Sequence, residues 1–85
     1  MEKLKTFEEA LKLIKRGERL MREGWNGKGM YIYLEKIDNN RTLTRRPFIV
    51  IKDTDEMFVP WVASQTDILA EDWICYKELP IEKQE

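Results

Sequence analysis

Two short blocks of this chain hold most of the residue types able to grip or transform a ligand. The first, Gly24-Trp25-Asn26-Gly27-Lys28-Gly29, sets a tryptophan among three glycines within six positions. Glycines let backbone N–H groups approach a ligand closely, and the indole offers a flat apolar face. The second, Pro60-Trp61-Val62-Ala63-Ser64-Gln65-Thr66-Asp67, puts a tryptophan just ahead of an expected helix start, where free N–H groups and hydroxyls favour an anion. Aromatic faces stack on nucleobases at roughly 1 to 3 kcal/mol each, so a nucleotide could use both blocks. Arg22 and Lys28 flank the first tryptophan and suit phosphate, whereas Arg45 and Arg46 fit a solvated face equally well. Each block also has a plain structural reading: Trp25 folds back onto the core from a hairpin turn, or Trp61 fills core volume while Ser64 and Asp67 cap a helix. The glycine spacing matches neither the dinucleotide fingerprint nor the phosphate loop of nucleoside triphosphatases. Neighbouring acids Glu71 and Asp72 read as a solvated helix end, because carboxylates that act together must converge on a substrate.

Composition narrows the chemistry further. There is no histidine and one cysteine, Cys75, so Ser-His and Cys-His nucleophiles, the common zinc sites and an internal disulfide are all out of reach. Catalysis would have to rest on carboxylates, lysines or tyrosines, and no structural metal or cofactor is expected. Fifteen basic residues against 16 acidic ones leave a net charge of -1. That balance sets up no field for a nucleic-acid polymer, and any anionic partner is expected to be small. The longest apolar run, Met30 to Leu34, is far short of a membrane span, and the charged N-terminus lacks a signal-peptide core. An intracellular protein with no membrane partner follows.

The elements that must position these blocks come next. Eighty-five residues make one domain, which at this size buries only roughly 60% of its unfolded surface. Thr6-Phe7-Glu8-Glu9 has the form of a capping box, and Phe7, Ala10, Leu11 and Ile14 recur at helical spacing up to Gly17, predicting an amphipathic helix over 7–16. Arg19 to Arg22 reads as an edge strand, Met30 to Leu34 as a two-faced strand, and Asp38-Asn39-Asn40 as a turn. Phe48 to Ile51 reads as a buried strand, Asp53 to Glu56 as a reversal, and Met57 to Val59 as the returning strand. Ser64 to Asp67 looks like a second capping box that opens a helix of about two turns, and Trp73 to Tyr76 is the last strand. The sum is a small α+β domain over 1–76: an antiparallel sheet, an N-terminal amphipathic helix and a short second helix before the last strand, followed by a polar tail over 77–85.

On the two blocks quoted above, together with the continuation Ile68-Leu69-Ala70-Glu71-Asp72-Trp73, the sequence resembles the second type of phage Thoeris anti-defence proteins. The likeness runs from Phe7 through Trp73. It implies a small homo-oligomeric sponge, a homotetramer, that binds the cyclic ADP-ribose isomer of the bacterial Thoeris defence in the host cytoplasm and hides it from its effector without cleaving it. It also implies, for some members, separate sites for cyclic dinucleotides of the CBASS defence. Carried onto this sequence, the ligand contacts fall on Trp25 and Asn26, then on Trp61, Ser64, Gln65, Thr66 and Asp67, with Phe7 and Trp73 following. Gly27, Lys28 and Arg22 join them from the residue reading of the first block. Two rival functions stand beside the sponge: an adaptor or inhibitor that binds a host protein through exposed tryptophans, and a phosphodiesterase that cleaves the signal.

Overall fold

The computed structural model describes residues 4–25, 29–36 and 46–76. Helix α1 spans Phe7–Lys15, and its start obeys the local rule: the Glu9 N–H donates to Thr6 Oγ1 at 3.3 Å and the Thr6 N–H donates to Glu9 Oε1 at 3.0 Å. It ends in a Schellman turn. Gly17 sits at φ 101°, its N–H donates to the Ile14 carbonyl at 3.0 Å, and the Glu18 N–H donates to the Leu13 carbonyl at 3.1 Å. Glu8 and Glu9 in the first turn and Lys12 and Lys15 in the last complement the helix dipole.

Five strands follow: β1 (Leu20–Arg22), β2 (Tyr31–Glu35), β3 (Phe48–Lys52), β4 (Phe58–Pro60) and β5 (Trp73–Cys75), with helix α2 (Gln65–Leu69) between the last two. They form one antiparallel sheet in the order β4-β3-β2-β1-β5. The expected α+β class is thus the observed one. Strand β1 departs from expectation, for it lies inside the sheet between β2 and β5 rather than at an edge. Its arginines suggest solvent in the sequence, yet Arg19 lies over the rings of Tyr31 and Tyr76, and Arg22 meets two aspartates. The edge beside β5 carries a further backbone bridge, in which Lys5 and Trp73 exchange N–H···O bonds of 2.9 and 3.0 Å.

Period-two alternation gives the sheet two faces. On the helix side, Leu20, Ile32 and Trp73 join Ala10 and Ile14 in a core with no exposed surface, and Phe7, Leu13, Leu34, Ile49 and Ile51 pack against it. Each fully buried aliphatic chain contributes roughly 1.5 to 3 kcal/mol, so a core of this size leaves little reserve. The opposite face carries Tyr31, Tyr33, Glu35, Phe48, Val50, Lys52, Phe58 and Pro60 in register. No described element covers it. Strand β3 is therefore not the buried strand the sequence suggested: among its residues only Val50 is buried, and β4 beyond it is exposed throughout. The β3–β4 reversal is held by Asp53, whose Oδ1 accepts from the N–H groups of Asp55 and Met57 at 2.9 and 3.0 Å. The expected turn at 38–40 and the polar tail lie outside the described residues. No helix among the described residues is long and apolar enough to cross a membrane.

A Cβ built on Gly17 meets nothing within 4 Å, so an alanine there is opposed by backbone conformation alone. Gly17→Ala should lower stability by about 1 to 2 kcal/mol. A urea titration checks this: the midpoint falls while the slope stays unchanged.

Candidate functional site

Strand β5 delivers Trp73 to the centre of the helix-side core, and three half-buried aromatic rings gather on it. Phe7 of α1 lies 5.4 Å from it between ring centroids, Trp25 meets it edge-on at 5.4 Å, and Trp61 meets it edge-on at 6.1 Å. Phe7 and Trp61 are 6.0 Å apart. Such tilted pairs each add roughly 0.5 to 1.5 kcal/mol beyond area burial. The four aromatic residues singled out in the sequence thus converge, although they come from α1, the glycine loop, the segment after β4, and β5. Trp73 has 0% exposure and supports the other three from behind.

Asp67, in the first turn of α2, ties the cluster together. Its N–H donates to Ser64 Oγ at 3.1 Å, and its carbonyl accepts from Trp73 Nε1 at 3.0 Å. Its Oδ1 accepts from Arg22 Nη1 at 2.9 Å and from Trp25 Nε1 at 3.3 Å. The second capping box is therefore only half formed, because the carboxylate that should return to Ser64 faces Arg22 and Trp25 instead. The helix it opens is also shorter than two turns, with five residues.

Asp72 is not the solvated helix end that the sequence suggested. Its Oδ1 accepts from Arg22 Nε at 2.8 Å and its Oδ2 accepts from the Gly24 N–H at 2.9 Å, while its carbonyl accepts from the Glu23 N–H at 2.9 Å. The bond from Arg22, and then that from Gly24, hold the Asp72 carboxyl below its ordinary range against the opposing effect of desolvation. Arg22 in turn is held above its usual value, first by Asp72 and then by Asp67. A Cβ at position 24 would lie 2.9 Å from Asp72 Oδ2, so a larger residue there would have to push that carboxylate aside. At the far end of the same loop, Lys52 Nζ donates to the Gly29 carbonyl at 3.0 Å.

The structure therefore brings together Phe7, Arg22, Trp25, Trp61, Asp67 and Trp73. Ser64, Gln65 and Thr66 present exposed polar groups at the start of α2, three residues after Trp61. Asn26, Gly27, Lys28 and Arg45 lie outside the described residues, and Arg46 is exposed. Sequence reasoning missed the roles of Asp72 and Lys52; Asp72 meets Arg22 because its neighbour Trp73 is the register partner of Arg22, a pairing that only the structure shows. One guanidinium between two carboxylates sums to a net negative charge, so this trio offers a phosphate no surplus of positive charge. Among the described residues, no cluster of three or more His, Cys, Asp or Glu could hold a metal. Two grooves of about 290 and 270 Å³ lie elsewhere, one along α1 by Lys5, Glu9, Lys12 and Leu13, the other on the open sheet face by Tyr33, Phe48 and Phe58.

Comparison with known proteins places these features in context. Residues 5–76 match the family model described as the Thoeris anti-defense 2-like domain. The chain is also 39% identical over 80 residues to a protein named Thoeris anti-defense 2 from Bacillus phage SP01, a match covering 80% of this chain and 90% of that protein.

Removing a charge from the trio should cost stability in a pH-dependent way. A carboxyl held below its ordinary range stabilises the fold above pH ~4, and that contribution is lost as the pH falls toward its folded value. Asp72→Asn is expected to unfold about 1 to 3 kcal/mol more easily than the unaltered protein at pH 7. The gap should shrink as the pH is lowered from 5 to 3, which urea midpoints across that range measure directly.

Proposed function

Because the chain belongs to the Thoeris anti-defense 2-like family, we propose that it is a phage anti-defence protein that binds a cyclic nucleotide immune signal in the host cytoplasm and sequesters it uncleaved. The observation that carries this reading is the group of three half-buried rings, Phe7, Trp25 and Trp61, fixed around one buried indole beside the exposed polar groups of Ser64, Gln65 and Thr66. Rings held in this way give a base a flat surface whose position is set before the ligand arrives, which lowers the ordering cost of binding. In this reading Phe7, Trp25 and Trp61 contact the base, Ser64 to Thr66 bond phosphate or ribose, and Asn26, Gly27 and Lys28 are further ligand contacts. The signal is the cyclic ADP-ribose isomer of Thoeris, with cyclic dinucleotides as a further class.

Magnitudes favour a site built by more than one copy. Competing with a receptor takes nanomolar affinity, about 12 kcal/mol, whereas two stacked bases give roughly 2 to 6. The remainder comes from charge-assisted bonds and from enclosing the ligand in about 300 to 1,000 Å³. The two grooves found among the described residues, about 290 and 270 Å³, sit at the bottom of that range and away from the rings. A homotetramer with pockets where protomers meet supplies the missing wall and covers the open sheet face. One observation favours the rival adaptor reading: Val62 and Leu69, at either side of α2, are 87% and 74% exposed, as suits a host-protein contact.

Mixing the protein with glycocyclic ADP-ribose, removing free material and denaturing the complex should return the ligand intact. Hydrolysed product, with turnover beyond one equivalent, would make the protein a phosphodiesterase, and calorimetric silence toward this and a panel of cyclic dinucleotides would leave the adaptor. Trp61→Ala should weaken binding more than tenfold by calorimetry while circular dichroism still reports a folded chain; unfolding without ligand would assign Trp61 to the core alone.

A further inference from the structure

Arg22 is, with Lys28, one of the two cations that the sequence offers most readily to a phosphate, and its surroundings argue for a different task. Its guanidinium sits between two carboxylates, with Nε 2.8 Å from Asp72 Oδ1 and Nη1 2.9 Å from Asp67 Oδ1. Each of those carboxylates also holds one of two consecutive residues of the glycine loop. Asp72 accepts from the Gly24 N–H at 2.9 Å, and Asp67 accepts from the Trp25 indole N–H at 3.3 Å. The side chains of the trio are 15 to 24% exposed, so water competes only partly for these bonds.

We propose that Arg22 is a positioning residue that latches the glycine loop to α2 through Asp67 and Asp72 and so fixes the pose of Trp25, rather than a residue that contacts phosphate. This rests on the ligand-binding reading above for its purpose, though the latch itself is defined without a ligand. Three arguments support it. Both acids compensate the arginine charge, so an incoming anion meets a trio of net negative charge rather than a free cation. The two loop contacts constrain different things: Asp72 fixes the backbone at Gly24, where a Cβ would come within 2.9 Å of its Oδ2, and Asp67 fixes the direction of the Trp25 ring. Finally, Asp67 lies one residue beyond Ser64-Gln65-Thr66, so the latch joins the two sequence blocks into one unit whose relative placement no longer costs order on binding.

The test separates positioning from direct contact by the sign of one variant. Arg22→Gln, Asp67→Asn and Asp72→Asn are each titrated with glycocyclic ADP-ribose by calorimetry, and the exchange of the Gly24 amide and the Trp25 indole N–H is followed by NMR on the ligand-free protein. Positioning predicts that Arg22→Gln and Asp72→Asn each weaken binding about tenfold, that the double variant is no worse than either single one, and that both protons exchange faster in every variant. If Asp72→Asn binds as tightly as the unaltered protein or tighter while Arg22→Gln loses affinity, Arg22 meets the phosphate and the proposal is overturned. Trp25→Phe guards against variants that fold poorly, since it keeps an aromatic ring at this position while removing the indole N–H that Asp67 accepts; binding unchanged by it counts against the latch. Where the unaltered protein takes up no cyclic nucleotide at all, the functional reading falls and the latch is judged by the exchange rates alone, unchanged rates overturning it.

Discussion

Burying the indole of Trp73 is the constraint on which the rest of this small structure depends. It is the largest side chain with no exposed surface, in a domain whose core contains few residues. An indole cannot be buried with its N–H unpaired without a penalty of a few kcal/mol, and that N–H is met by the carbonyl of Asp67. The bond fixes where α2 begins relative to β5. The ring then determines where Phe7, Trp25 and Trp61 can pack, so the same event that completes the core also arranges the aromatic surface around it. Core and candidate site are continuous here, so the aromatic surface needs no separate layer to support it.

The charges around that core follow the same economy. Arg22 emerges on the helix side of β1, next to the buried rings, where an unpaired guanidinium would be costly. Two aspartates remove that cost, and each uses its remaining capacity on the glycine loop. On the opposite face Arg19 and Lys52 lie over tyrosine rings instead, at 5.0 to 5.6 Å from the centroids. Tyr33, whose O–H donates to Glu35 Oε1 at 3.3 Å, is pushed above its ordinary value, chiefly by desolvation and then by Glu35.

What the sequence reveals and what it hides divide by distance along the chain. The Thr6–Glu9 box and the Gly17 stop are complete within a few residues, and both form as their local chemistry requires. Ser64 caps its helix for the same reason, yet Asp67 obeys a partner 45 residues away, and the local rule fails at that side chain. Asp72 is further removed, with its contacts 50 and 48 residues back at Arg22 and Gly24, so nothing beside it in sequence distinguishes it from Glu71. Strand β1 reads as an edge in the sequence because the partners of Arg19 and Arg22 are set by tertiary structure. The set of candidate aromatic residues came from the two blocks and their resemblance, whereas their convergence on one indole needed the register of β1 against β5.

All three tryptophans of the chain belong to this one cluster, with Trp25 and Trp61 each within 6.1 Å of Trp73. The intrinsic ultraviolet emission of the protein therefore comes from a single neighbourhood, in which excitation passes readily between rings. A change in that emission reports on the aromatic surface and the core at once, so an optical signal from this molecule reads site geometry and folding through the same window.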